Sequence, residues 1–159
     1  MEEAWADVQS TYQRRLDLTP NLVNTVKGMS GFEQEALTKI AQARSNALSG
    51  GSADISAASY NRQAGLQDTL AAASNRLIAV IEKYPVLKGT EAFRGLQTQL
   101  EGNERRIKVA RIDFNAAVKD YNSSVRSFPK SLVAKAFGFD VKEGFAAVDG
   151  AENNVQIKF

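Results

Sequence analysis

The chain has 159 residues, 43% of them hydrophobic and 24% charged, which is room for one domain with its own core and excludes a chain disordered throughout. A net charge of +2 argues against a bulk nucleic-acid binder. With no Cys and no His, disulfides, thiolate nucleophiles, cysteine metal sites and the usual near-neutral base are all excluded.

The first helical pattern starts near Glu2 and reaches about Leu48. Trp5, Tyr12, Leu16, Val23, Val26, Leu37 and Ile40 keep one phase along it, and Val8, Leu22, Met29 and Ala36 widen the apolar face. Pro20 interrupts it, because proline lacks an N–H and its ring crowds the carbonyl of Leu16. Farther on, Gly28 and Gly31 flank Ser30, which stands at capping-box spacing from Glu33. The unbroken phase favours one bent helix over 2–48, with breaks near 19 or near 29 as the alternatives. Gly50 and Gly51 end it.

Just before Pro20, Arg14, Arg15 and Asp17 lie within one turn, and Asn21 and Asn24 come next on a shared face. This stretch reads first as a structural polar cluster. A proline opens backbone hydrogen bonds, and an Arg or Asn side chain can take up the freed carbonyl near Leu16. Its second reading is a surface where a partner docks. Nothing in it is a good nucleophile or base.

The second pattern runs over 54–84, with Asp54 as a plausible N-cap and Pro85 closing it. Its stripe is Leu66, Leu70, Ala73, Leu77, Val80 and Tyr84. The third pattern, over 91–128, is the cleanest. From Phe93 the stripe passes through Leu96, Leu100, Asn103, Ile107, Ala110, Phe114, Ala117, Tyr121, Ser124 and Phe128, a heptad phase for a helix packed lengthwise on its neighbours. Thr90 is the expected N-cap, and Pro129 the stop. Asn103 on a core position would fix register, and Asn115 and Asn122 are expected to reach a neighbouring helix. A short amphipathic helix over 130–137 and an extended tail over 139–159 complete the chain. The fold class expected is all-α: an antiparallel up-and-down bundle of three long helices and a short fourth, with an extended C-terminal tail.

Arg105, Arg106, Lys108 and Arg111 form the main charge cluster. Glu101 with Arg105, and Glu104 with Lys108, are spaced i,i+4 in the favourable order. That predicts a solvated, self-neutralising face; the functional alternative is a basic patch for an acidic partner or anionic lipid. Stacking aromatics of a nucleic-acid site do not interleave these basics. Neither a Glu-x-x-His metal pattern nor a phosphate loop is present, so no catalytic residue, metal or cofactor is expected. No run of 18 apolar residues occurs, which leaves no transmembrane helix within this sequence.

Two blocks resemble the LemA family of bacterial proteins. The front block supplies Trp5, Arg14, Arg15, Asp17, Leu18, Pro20, Asn21, Leu22, Val23, Glu33, Ala43 and Arg44. The second block starts at "EGNERRIKVARIDFN" and runs on to Pro129. It supplies Glu104, Ile107, Ala110, Arg111, Asn115, Val118, Tyr121, Asn122 and Phe128-Pro129. "FGF" and the final "VQIKF" match the family's tail, and Thr19 stands where the family more often has Ile. The resemblance implies a bundle of long antiparallel helices, no general enzymatic activity or cofactor, and a loose association with envelope functions. It also implies a hydrophobic anchor helix just before the Trp, so the abrupt helical start at "MEEAW" is read as a soluble part whose membrane anchor is missing. The expected role is a membrane-tethered interaction or scaffold protein with protein partners and no nucleic acid; a soluble adaptor is the alternative.

Overall fold

A computed structural model describes residues 1–27, 34–51 and 55–146. Among the described residues every regular element is a helix: α1 (Glu2–Val26), α2 (Gln34–Ser49), α3 (Ala57–Ile81), α4 (Pro85–Lys88), α5 (Glu91–Arg126) and α6 (Lys130–Ala136).

The single bent helix expected over 2–48 is instead two helices. α1 passes through Pro20 without a break, so 19 is not a boundary. It ends where Lys27 turns extended, at φ −67° and ψ 119°. Gly28 to Glu33, with the Ser30/Glu33 spacing, lie outside the described residues. The phase survives across the gap because α1 and α2 both face the same core, not because one helix carries it. α3 begins later than expected. Ser56 is its N-cap, its side chain accepting from the Ser59 amide, whereas Asp54 lies outside the described residues. α3 stops at Ile81, and Pro85 opens the short α4 at a position where its missing N–H costs nothing. Thr90 caps α5 through the Phe93 amide at 3.3 Å.

α5 packs chiefly against α1, and α2 against α3. Rising numbers in α1 meet falling numbers in α5: Trp5 touches Phe114, and Arg15 reaches Glu104. α3 runs alongside α1 in the same sense, with Trp5 on Tyr60 and Arg15 on Gln67. The buried row of α3 is Tyr60, Gln63, Gln67, Leu70, Ser74, Leu77 and Ile81, whereas Leu66 and Ala73 are only half-buried.

The core has two apolar halves. One holds Leu16, Leu22, Ile40, Leu70, Leu77, Ile81 and Phe93 with their neighbours. The other holds Trp5, Val8, Tyr12, Tyr60, Ile107, Phe114 and Val118. In α5 the buried stripe follows the heptad phase to Phe114 and then ends at Val118. Past that level α1 has run out, so Ser124 and Phe128, expected inside, are exposed.

Candidate functional site

Between the two apolar halves lies a belt of polar side chains. Arg15, only 2% exposed, is at its centre. Its Nε donates to Glu104 Oε1 at 2.9 Å, its Nη2 pairs with Glu104 Oε2, and its Nη1 donates to the Gln67 carbonyl at 2.7 Å. The fork of the guanidinium thus ties α1, α3 and α5 together, the bidentate geometry that Lys cannot supply. One turn away, Asn103 Nδ2 donates to the Thr11 carbonyl at 3.2 Å. Gln67 Nε2 and Asn103 Oδ1 are buried without a partner among the described residues, a cost the belt carries.

Arg111 extends the belt toward solvent. It donates from Nε to Tyr12 Oη at 2.9 Å and from Nη2 to Asp68 Oδ1 at 2.8 Å. Its guanidinium also sits 5.5 Å from the Tyr12 ring centroid and 5.6 Å from that of Phe145, within cation–π range. Burial alone would lower the Arg111 pKa, but Asp68 and Tyr12 more than offset it and the pKa rises. Burial pushes the Tyr12 hydroxyl above its ordinary value, against the opposing pull of Arg111.

The polar stretch around Pro20 therefore does not act as one cluster. Arg15 is inside; Arg14, Asp17, Asn21 and Asn24 are exposed, and Asp17 accepts from Gln13. The Leu16 carbonyl, left without an N–H by Pro20, accepts from Arg44 Nε of α2 at 3.0 Å. Thr19 Oγ1 donates to the Arg15 carbonyl at 2.8 Å. The proline's open acceptor thus adds a hydrogen bond from α2 to the apolar cluster that the two helices share.

The expected basic face is also divided. Arg105, Arg106 and Lys108 are exposed, but Arg111 turns inward to Tyr12 and Asp68. Glu104 turns to Arg15 rather than to Lys108, because a buried guanidinium without its counter-charge costs far more than an exposed i,i+4 pair returns.

Asn115 and Asn122, expected on a neighbouring helix, hold the segment after α6 instead. Asn122 pairs with both backbone groups of Lys142, at 2.7 and 2.8 Å. Asn115 Oδ1 accepts from the Phe145 amide at 2.8 Å, and Asn61 Oδ1 from the Ala146 amide at 3.0 Å. Tyr60 Oη bonds the Glu143 carbonyl, and burial, with the Glu143 charge second, raises its pKa. Phe145 then enters the cluster of Trp5, Tyr60 and Phe114, with ring centroids 5.1 to 6.1 Å apart. Gly144 leaves room for the Asn115 bond: a Cβ there would come within 2.5 Å of Asn115 Oδ1 and push the amide side chain aside. The segment has no periodicity, and its apolar Phe139, Val141 and Phe145, with Val148, Val155, Ile157 and Phe159 outside the described residues, are what the sequence offers to pin it to the helices. Of the described three, Phe145 packs on the core, whereas Phe139 and Val141 are exposed. The asparagines seven apart were the sequence signal for the clamp.

No helix among the described residues is long and apolar enough to cross a membrane, and among them no group of three or more acidic side chains is placed to hold a metal.

The sequence model of the LemA family matches residues 4–159. The chain is also 36% identical over 73 residues to magnetosome protein MamQ 2 and to magnetosome protein MamQ 1 of Paramagnetospirillum magneticum. It is 33% identical over 73 residues to magnetosome protein MamQ of Magnetospirillum gryphiswaldense. Each match covers 46% of this chain and 27% of the relative, so the chain aligns with about a quarter of each magnetosome protein's length.

Proposed function

The chain belongs to the LemA family, and on that premise we propose that it is the exposed domain of a membrane-tethered, non-enzymatic interaction protein of the bacterial envelope. The reading takes the helices as an up-and-down bundle closed by an extended C-terminal tail. An anchor helix N-terminal to Trp5, as the family resemblance implies, would hold the bundle to the membrane. Protein partners would then meet its outer faces. The likeness to magnetosome proteins supports an association with a bacterial compartment.

One observation carries this reading. The polar residues on which the family resemblance rests are largely spent inside the fold: Arg15 and Glu104 on each other, Arg44 on a carbonyl, Arg111 on Tyr12 and Asp68, and Asn115 and Asn122 on the tail. They specify a shape rather than a reaction centre. What is left for function is surface, including the exposed Arg14, Asp17, Asn21, Asn24, Arg105, Arg106 and Lys108.

The test is membrane fractionation of the protein expressed from its native gene, with an alkaline carbonate wash. Retention in the pellet is expected of an anchored protein. Release into the supernatant would refute the tether and favour a soluble adaptor.

A further inference from the structure

The end of the bundle formed by α6 and its flanking turns exposes more apolar surface than folding explains. Phe128 is 83% exposed, Phe137 74% and Leu132 63%, and Val133, Phe139 and Val141 are exposed beside them. At about 100° per residue, Leu132, Val133 and Ala136 fall in one arc of α6, and Phe137, its C-cap, follows directly after them. Ala134, which is buried, marks the opposite side, and Lys130 and Lys135 stand at the two edges of the arc. Within 126–142 there are four basic residues, Arg126, Lys130, Lys135 and Lys142, against one acid, Asp140. An apolar arc edged by lysines is the pattern of a helix lying in a membrane interface.

The position of this end agrees with that pattern. Met1 packs on the cluster that contains Val118, and α5 continues from Val118 to Arg126, about 12 Å farther at 1.5 Å per residue. The apolar arc therefore lies at the end of the bundle where α1 begins.

We propose that this end is a membrane contact in its own right, inserting Phe128, Leu132 and Phe137 into the interface of an anionic bilayer and laying Lys130 and Lys135 on its headgroups. For its orientation the proposal rests on the tethered reading above. The contact itself needs no anchor, and it would set the bundle upright or tilted according to how deeply α6 enters.

The test uses the full 159-residue chain. It should float with vesicles of mixed phosphatidylglycerol and phosphatidylcholine, and less with phosphatidylcholine alone. Leu132→Ser with Phe137→Ser should lower binding about tenfold, with an unchanged melting curve because both side chains are exposed. Since the chain lacks Cys, Phe137→Cys carrying a polarity-sensitive dye gives a second readout that needs no loss of binding. Its emission should shift blue on anionic vesicles, while the same dye at Lys88→Cys stays as in water. No flotation, or a dye at 137 that remains in water while the protein binds, would overturn the proposal. So would a dimer by light scattering that Leu132→Ser converts to monomer, since a second copy would then own the surface. Carbonate retention of the native protein without vesicle binding by this chain would refute this contact and leave the tether. Vesicle binding with carbonate release would keep the contact and remove the tether.

Discussion

Glu104→Ala should destabilise the protein more than Arg15→Met, although the two residues form one ion pair. The two ends of the pair are not equally buried: the Arg15 side chain is 2% exposed and that of Glu104 44%. Without Arg15, Glu104 can swing into water and keep its hydration, and methionine fills much of the space of the arginine stem. The loss is then the charge-assisted bonds net of rehydration, about 1 kcal/mol. Without Glu104, a guanidinium stays trapped between α1, α3 and α5 with only the Gln67 carbonyl and a weaker 3.3 Å contact to Gln67 Oε1. Leaving one partner of a buried pair uncompensated costs about 3–5 kcal/mol; the half-exposure of Glu104 places the expected value near the lower end, about 3 kcal/mol. For a chain of this size that is a fall in Tm of roughly 6–12 °C. Urea titrations monitored by helical circular dichroism and by Trp5 fluorescence would measure both variants and Arg15→Met/Glu104→Met. The double variant should lie close to the unmodified protein. Equal costs for the two single variants, or a larger cost for Arg15→Met, would refute the assignment of Arg15 as the buried member.

Arg44→Ala should cost about 1 kcal/mol in the unmodified chain and close to nothing in a Pro20→Ala background, where a restored N–H serves the Leu16 carbonyl; a double-mutant cycle in urea checks this. Asn115→Ala should leave Tm within about 3 °C but speed amide exchange at Phe145 and proteolysis in the 138–146 segment, measured by mass spectrometry. Alkaline pH should destabilise the fold from about pH 10 upward. Tyr12 and Tyr60 both have folded pKa values above the ordinary tyrosine value, so the unfolded chain releases its protons first and is favoured as pH rises toward the folded values. Phe substitution at either tyrosine should weaken that alkaline fall in a pH series of urea midpoints.

The helical class was legible because periodicity and caps report local preference: α5 starts at its Thr90 cap, and its stripe is buried as far as Phe114. The boundary between α1 and α2 was not legible from phase, since two helices facing one core share a phase as well as one helix does. Individual pair partners were hidden for a different reason. Glu104 has Lys108 at good helical spacing, yet the choice between Lys108 and Arg15 is decided by desolvation, which depends on a helix 89 residues away in sequence. The open carbonyl at Leu16 could be located from Pro20 alone, but the identity of Arg44 as its donor required α2 to be in place. Asn115 and Asn122 stood out by their spacing, but what they hold did not: side chains that bond an extended backbone leave no period in the segment they hold.

The belt also explains how a core of interchangeable apolar residues settles on one register. A heptad pattern packs nearly as well when one helix slips by seven residues along its partner. In the antiparallel pairing of α1 with α5, a slip of seven would carry Arg15 from Glu104 to either Arg111 or Gln97. The first alternative puts two guanidinium groups face to face in the interior, and the second leaves a buried cation without a counter-charge. Each costs several kcal/mol. The ion pair therefore opposes both slipped alignments, which keep the heptad phase of the native one. The choice has a spatial consequence, because a slip of seven moves α5 by about 10.5 Å along α1. That distance is comparable to the overhang that carries the apolar α6 end beyond the start of α1. Arg15 and Glu104 thus fix, from the middle of the bundle, where its exposed apolar end stands relative to Met1.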